Sequence, residues 1–323
     1  MNGQEEERVQ VLVAGAGPAG LAVALELAAR GLAPLVLERR LVTGSHPRAT
    51  ALSAETMQLI SRWGAEPQVR RLGFHCEHVM SIRSCLTGPE IQRVPFPDHV
   101  WACAQDHLET ILAERAAAAG AQLRCGAELT GLHPADGEMF ATVAAPPGPP
   151  ATIRARYVVG ADGARSTVRQ AAGIATSRAR AFGDSISILF RSPLRDYTGD
   201  PPCMVYGIGD PSTGGVIIPT DATDRWIRGI PWHPERGERL EDYDQERCTA
   251  LIRSAAGVPD LPVLITDIRA FTMAAAIAGR YRAGRAVLAD TIEHGDQPHT
   301  LDQYEQACKP LAEKLLEPEL APA

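Results

Sequence analysis

The residues of this chain best arranged to do chemistry are Gly15, Gly17 and Gly20, within Gly15-Ala16-Gly17-Pro18-Ala19-Gly20, followed eighteen positions later by Glu38. A glycine in the first place permits a tight strand-to-helix turn. The second lets a backbone approach a pyrophosphate, and the third lets the helix pack against the strand, so that phosphates sit at the helix N-terminus. Glu38 ends the apolar run Pro34-Leu35-Val36-Leu37, where a parallel second strand delivers a carboxylate to a ribose hydroxyl. The pattern is that of a dinucleotide cradle, with Pro18, Ala19 and Arg39 beside the same ligand.

The flanking elements agree with this reading. Val9 onward is an apolar strand, and Leu21 to Arg30 is almost wholly apolar and stops at Gly31, as in a helix buried against a sheet. A further helix is expected from Ser53 to Gly64, which places Arg48 just ahead of it, and another from Gln105 to Gly120 with Leu108, Ile111 and Leu112 facing a core. A second sharp signal is Arg156-Tyr157-Val158-Val159-Gly160-Ala161-Asp162-Gly163-Ala164-Arg165-Ser166-Thr167-Val168-Arg169, a buried strand entering an Asp-Gly turn and then a helix.

Between and beyond these pieces the pattern changes. Cys76 to Pro97 is irregular and strand-like, broken at Gly88, Pro95 and Pro97, and from Ser185 to Thr272 short β-rich runs alternate with Pro/Gly turns around one helix at Tyr243 to Ala256. The fold class expected is α/β: a Rossmann-like nucleotide domain made of residues 1–75, 98–182 and 273–323, interleaved with a mostly antiparallel β-sheet substrate domain of residues 76–97 and 183–272. No internal repeat suggests a solenoid or propeller.

Composition narrows the partners. The net charge of -7, from 32 basic and 39 acidic residues, argues against nucleic acid. The seven cysteines are scattered without ligand spacing and read as reduced. The acidic opening lacks a signal-peptide pattern and no apolar run approaches a membrane span, so a cytoplasmic protein without a membrane partner is expected. His294 and His299 lie near acids but have no third ligand at useful spacing, so no metal is expected.

Taken together, Gly15, Gly17, Gly20, Glu38, Arg48 in Pro47-Arg48-Ala49, Gln105, and Asp162-Gly163 with Arg165, Ser166 and Arg169 resemble the motifs of the flavin-dependent aromatic hydroxylases of the p-hydroxybenzoate hydroxylase type, especially members that oxidise polycyclic aromatic polyketides. The similarity runs over most of the chain. It implies a GR2-type FAD-binding domain, with Arg48, Gln105, Asp162, Gly163 and Arg165 as further FAD contacts and the Asp-Gly element near NAD(P)H as well. The implied reaction is reduction by NAD(P)H, capture of O2, and transfer of one oxygen atom to an activated ring through a flavin hydroperoxide.

The family's third motif, a Gly-Asp turn followed by a loop and a helix facing the flavin ring, is only partly matched. Gly284-Arg285-Ala286-Val287-Leu288-Ala289-Asp290 matches its strand, and Leu301-Asp302-Gln303-Tyr304-Glu305 matches a later helix, with a few dozen residues missing between them. Asp290 is either the family's aspartate with its glycine lost or the first residue past a deletion. Such a gap weakens the hold on the flavin ring and exposes apolar surface around Val287 and Leu288, favouring a homodimer. It also motivates an alternative: a flavin-free ligand-binding, cyclisation or inactive protein on the same scaffold.

The substrate pocket is expected between the nucleotide domain and the β layer, lined by the inner face of Met204 to Pro219 and by Trp226 to His233. His233 is the weak candidate for a catalytic base there.

Overall fold

The computed structural model describes residues 7–42, 46–198, 202–210 and 214–289. The strands are β1 (Glu7–Ala14), β2 (Leu35–Glu38), β3 (Ala51–Leu52), β4 (Phe74–Arg83), β5 (Glu90–Ala102), β6 (Gln122–Cys125), β7 (Glu128–Ala135), β8 (Glu138–Ala144) and β9 (Ala151–Gly160). Later in the chain come β10 (Thr176–Arg191), β11 (Val205–Ile208), β12 (Gly215–Pro219), β13 (Arg225–Trp232), β14 (Leu264–Ala278), β15 (Arg282–Ala283) and β16 (Ala286–Leu288). The helices are α1 (Pro18–Ala28), α2 (Ala54–Arg62), α3 (Glu66–Leu72), α4 (Gln105–Ala118), α5 (Thr167–Ala171) and α6 (Gln245–Ala256).

Two eight-stranded sheets divide these elements. In the first, β16, β9, β1, β2 and β6 run parallel in that order, and the antiparallel pair β7 and β8 extends from β9. The inner end of β1 is buried on both faces: Val11 and Val13 pack with α1 and α4, while Leu12 and Ala14 pack against β7, β8 and α5. A strand covered on both sides must be continuously apolar, which Val11-Leu12-Val13-Ala14 is.

The second sheet has the order β14-β10-β13-β12-β11-β4-β5-β3 and is antiparallel except where β11 meets β4. Period-two alternation makes it two-faced. Ile186, Ile188 and Phe190 of β10 join Trp226, Ile217 and Tyr206 in a core closed by Cys248, Ile252 and Ala255 of α6. Ser185, Ser187 and Leu189 point the other way.

The structure departs from the sequence reading at several points. The second sheet begins inside the region assigned to the nucleotide domain: β3 lies wholly within it, and β4, β5, β10 and β14 cross the expected boundaries. Pro95 and Pro97 do not end β5, because beyond its pairing with β4 that strand has only the short β3 as a second neighbour, and an edge strand tolerates a missing N–H. Val287 and Leu288 are buried, at 6% and 3% exposure, where exposure was expected, because β16 docks on β9. Asp290, His294, His299 and the segment Leu301–Glu305, where a helix is expected, lie outside the described residues.

Candidate cofactor cradle and substrate face

β1 carries the chain to Gly15, whose φ of +102° is left-handed and whose β-carbon, if it had one, would lie 2.1 Å from the Ala161 carbonyl oxygen. Only glycine turns there. The Gly15 N–H donates to the Leu37 carbonyl at 2.8 Å, which locks the turn to β2. Gly20 is equally constrained, since its β-carbon would sit 1.9 Å from the Gly15 carbonyl oxygen.

Gly17 differs from both. Among the described residues, a β-carbon there would meet nothing within 4 Å, so none of them requires a glycine at this position. Gly17 is the N-cap of α1, with no side-chain cap, Pro18 at the helix start and no acidic residue in the first turn. The first-turn N–H groups beyond the proline are therefore not satisfied by a capping side chain, which leaves the positive end of the helix uncapped, the arrangement that binds a diphosphate. The residues present fit the phosphate-bearing half of a dinucleotide on this geometry.

Glu38 is 6% exposed. Its Oε2 accepts from the Ala16 N–H at 3.0 Å, and its Oε1 from the Arg40 N–H at 2.9 Å and Arg40 Nε at 2.8 Å. Burial alone would raise the carboxyl's pKa, but these donors outweigh it and hold the group below the ordinary glutamate value. Arg40 also reaches Glu109 Oε2 at 3.5 Å, and Gln105 Nε2 donates to Glu109 Oε1 at 2.8 Å. Burial pushes the Glu109 carboxyl up, against those two partners.

Gln105 thus joins the cradle's acid through Glu109 and Arg40, two residues the sequence reading missed. Both were findable: Arg40 lies two residues past Glu38, on the same side of an extended chain, and Glu109 lies one helical turn past Gln105. Arg39 points away. It is exposed and 4.0 Å from Glu128 on the surface. The Gln105 N–H donates to the Ala49 carbonyl at 3.0 Å, so the segment carrying Arg48 runs alongside the start of α4. Arg48 itself is exposed.

The Asp-Gly turn lies against the first glycine, with the Ala161 N–H donating to the Ala14 carbonyl at 2.8 Å. Asp162 accepts from the Thr167 N–H at 2.7 Å, the Val168 N–H at 3.2 Å and the Ser166 hydroxyl, and Ser166 caps α5 through the Arg169 N–H at 3.0 Å. Gly163 takes a φ of +82°. In this arrangement Asp162 holds a helix terminus, Arg169 ties that helix to the Ile174 carbonyl at 3.1 Å, and Arg165 is exposed.

Across the second sheet, residues directly opposite one another share a face. The register Ser187–Gly229–Val216–Gly207–Ile82 and its neighbour Leu189–Ile227–Ile218 put an apolar, half-covered surface on the side away from α6. Of the segments expected to line a pocket, β11, β12 and β13 each present alternate residues on this face. Arg225, at the start of β13, donates to Asp106 of α4 at 2.5 Å and lies 3.2 Å from His107 Nε2, which ties the sheet to the nucleotide-binding side. His233 follows the other end of this eight-residue strand, about 25 Å away. Its Nδ1 is 3.1 Å from Glu235 in the turn leading to α6.

Among the described residues, no helix is long and apolar enough to cross a membrane, and no group of three or more His, Cys, Asp or Glu could hold a metal ion.

The comparisons agree with this geometry. The chain is 35% identical over 301 residues to aklavinone 12-hydroxylase DnrF of Streptomyces peucetius, covering 87% of this chain and 61% of that one. It is 29% identical over 329 residues to tetracenomycin A2 monooxygenase-dioxygenase of Streptomyces glaucescens, covering 90% and 58%. The structure superposes on aklavinone-11 hydroxylase in ternary complex with FAD and aklavinone with a TM-score of 0.82, at 31% identity, covering 98% of this chain and 63% of that one. It superposes on the flavin-dependent monooxygenase PieE in complex with FAD and substrate with a TM-score of 0.83, at 26% identity, covering 95% and 58%. The chain spans between half and about three fifths of the length of the curated relatives it matches. Residues 8–299 match the family described as FAD binding domain, and the chain belongs to that family.

Proposed function

We propose that this chain binds FAD and acts as a monooxygenase on a phenolic, polycyclic aromatic substrate of the polyketide class, with NAD(P)H as reductant and O2 as co-substrate. The observation that carries the reading is Gly17, which no neighbour among the described residues requires and which opens an uncapped helix N-terminus beside a buried carboxylate. The hydroxylases among its relatives support the activity and the substrate class.

In this reading the parallel sheet is the nucleotide-binding part and the antiparallel sheet the substrate part. The α1 N-terminus holds the diphosphate, and Glu38 holds the ribose. Three short hydrogen bonds already occupy the Glu38 carboxylate, and the fourth contact, from Arg40 Nη2, is long at 3.4 Å. A ribose hydroxyl takes that fourth place while Arg40 stays on Oε1 and Glu109. Arg48, at the edge of the Gln105 segment, and Asp290 are the remaining contacts proposed.

Bound FAD supplies the redox chemistry, accepting reducing equivalents from NAD(P)H and activating O2 for insertion into the ring. The chain's own share is to orient the ring of the substrate on the face formed by Gly207, Val216, Ile218, Ile227 and Gly229, and to keep that face dry. The test is spectroscopic. The purified protein, as isolated and after FAD addition, should show a protein-bound flavin spectrum, oxidise NAD(P)H and consume O2; a protein that leaves added FAD free in solution overturns the reading.

A further inference from the structure

His46 belongs to the loop that follows β2, two residues before Arg48, yet its ring is buried in the substrate sheet with only 5% of the side chain exposed. Its Nε2 lies 2.8 Å from Ser187 Oγ on β10, and its Nδ1 lies 3.0 Å from Asp267 Oδ2 on the adjacent β14. Asp267 also accepts from Arg269 Nε at 2.7 Å. Ser187 is paired across β13 with Gly229, so it stands on the face that carries Val216 and Gly207, opposite a residue with no side chain to cover it.

The donor and acceptor roles follow from the partners. A carboxylate only accepts, so Nδ1 carries the proton and donates to Asp267, and Nε2 is left as an acceptor that the Ser187 hydroxyl satisfies. Ser187 then has oxygen lone pairs available toward the sheet face. Burial is the main cause that holds the His46 pKa below the ordinary histidine value, against the pull of Asp267, and the charges of Arg269 and Arg225 lower it further. The ring is thus neutral at physiological pH, with Nε2 as its proton-accepting nitrogen.

We propose that Ser187, His46 and Asp267 form a proton relay that removes the proton of a phenolic hydroxyl bound at the sheet face. The substrate O–H donates to Ser187 Oγ, the Ser187 proton passes to His46 Nε2, and Ser187 regains a proton from the substrate. One O–H bond of the substrate breaks, one N–H bond on His46 forms, and the products are a phenolate and an imidazolium paired with Asp267. No electrons are exchanged. The step matters because a phenolate is a far stronger nucleophile at its ring carbons than the phenol. Asp267 is a positioning residue that fixes the tautomer and stabilises the imidazolium. The charged groups facing the relay are Asp267 and Arg269 from β14 and Arg225 from β13, the last already paired with Asp106.

This inference rests on the substrate class proposed above, and the experiment separates the two. The FAD-supplemented protein is titrated with quinizarin, a hydroxyanthraquinone whose visible band moves to long wavelength on ionisation, and the ionisation of the bound dye is followed against pH for the unaltered protein, S187A, S187T and H46N. The relay requires the bound dye to ionise at a pH lower by about one unit or more in the unaltered protein and S187T than in S187A and H46N. If the dye binds all four and ionises at one common pH, the relay is overturned and the substrate class stands. If the unaltered protein does not bind the dye, both are overturned. S187A leaves the His46–Asp267 bond in place, so the S187A and S187T pair decides the matter even where H46N fails to fold.

Discussion

Gly20 stands so close to Gly15 that a β-carbon on Gly20 would lie 1.9 Å from the Gly15 carbonyl oxygen, while the glycine between them, Gly17, has nothing within 4 Å of the same position. One motif therefore contains glycines of two kinds. Gly15 and Gly20 serve the packing of α1 on β1, and Gly17 is the one the proposed function assigns to a ligand.

The two kinds separate experimentally. Gly20→Ala forces backbone apart in the core and is expected to abolish soluble, cooperatively folded protein, as overpacking against backbone costs about 1–3 kcal/mol or more. Gly17→Ala is expected to keep the unaltered melting temperature without ligand and to lose at least about tenfold in FAD affinity, roughly 1.4 kcal/mol. Thermal unfolding and flavin titration, performed on both variants, check the pair of outcomes.

Glu38 gives a second prediction with a pH signature. Its folded-state pKa lies below the unfolded value of about 4.3, so its stabilising contribution is fully present above that value and is lost as pH falls through the lower, folded pKa. Glu38→Gln removes charge from bonds to the Ala16 and Arg40 N–H groups, and should cost about 1–3 kcal/mol at neutral pH and progressively less in acid. Denaturant unfolding at pH 7 and at pH 3.5 should show the variant's deficit shrinking at the lower pH.

Much of this was legible in the order of residues. The cradle is local: strand, turn, helix and acid occupy one continuous stretch, and Gly15 and Gly20 answer constraints that neighbouring backbone imposes. The alternation Ile186, Ile188, Phe190 against Ser185, Ser187, Leu189 likewise announces a two-faced strand. What was not legible depends on contacts between distant segments. His46 and Asp267 are 221 positions apart, and nothing in either segment names the other. The two-residue period of an extended chain turns Arg39 toward Glu128 and Arg40 toward Glu38, a distinction that becomes plain only once the partners are in place. Asp162 shows another contact that only the folded chain reveals: its carboxylate accepts from the Thr167 and Val168 N–H groups at the start of α5.

The joint between the two sheets offers a third test. Asp106 and Arg225 form an ion pair at 2.5 Å whose side chains are only 11% and 10% exposed, at the N-terminus of α4, next to Gln105. Removing one partner leaves the other charge buried, so Asp106→Ala should destabilise by about 3–5 kcal/mol. The double change of Asp106→Ala with Arg225→Leu should recover part of that loss. A denaturation cycle over the two single variants and the double variant measures the coupling.

Glu109 should behave in the opposite sense to Glu38. It is 1% exposed, its carboxyl is pushed up by burial against Gln105 and Arg40, and its Oε2 has no hydrogen-bond partner among the described residues. A carboxyl that is harder to ionise in the folded state favours folding while it stays protonated. That contribution is present below the unfolded value of about 4.3 and is lost as pH rises from there through the raised, folded pKa. Glu109→Gln keeps an acceptor for Gln105 and cannot ionise, so relative to the unaltered protein it should gain stability as pH increases from 4.5 to 8. Melting temperatures of both proteins across that range decide the point: a difference, variant minus unaltered, that rises with pH bears out the buried, reluctant acid, and one that stays constant or falls shows that Arg40 holds Glu109 as a settled anion.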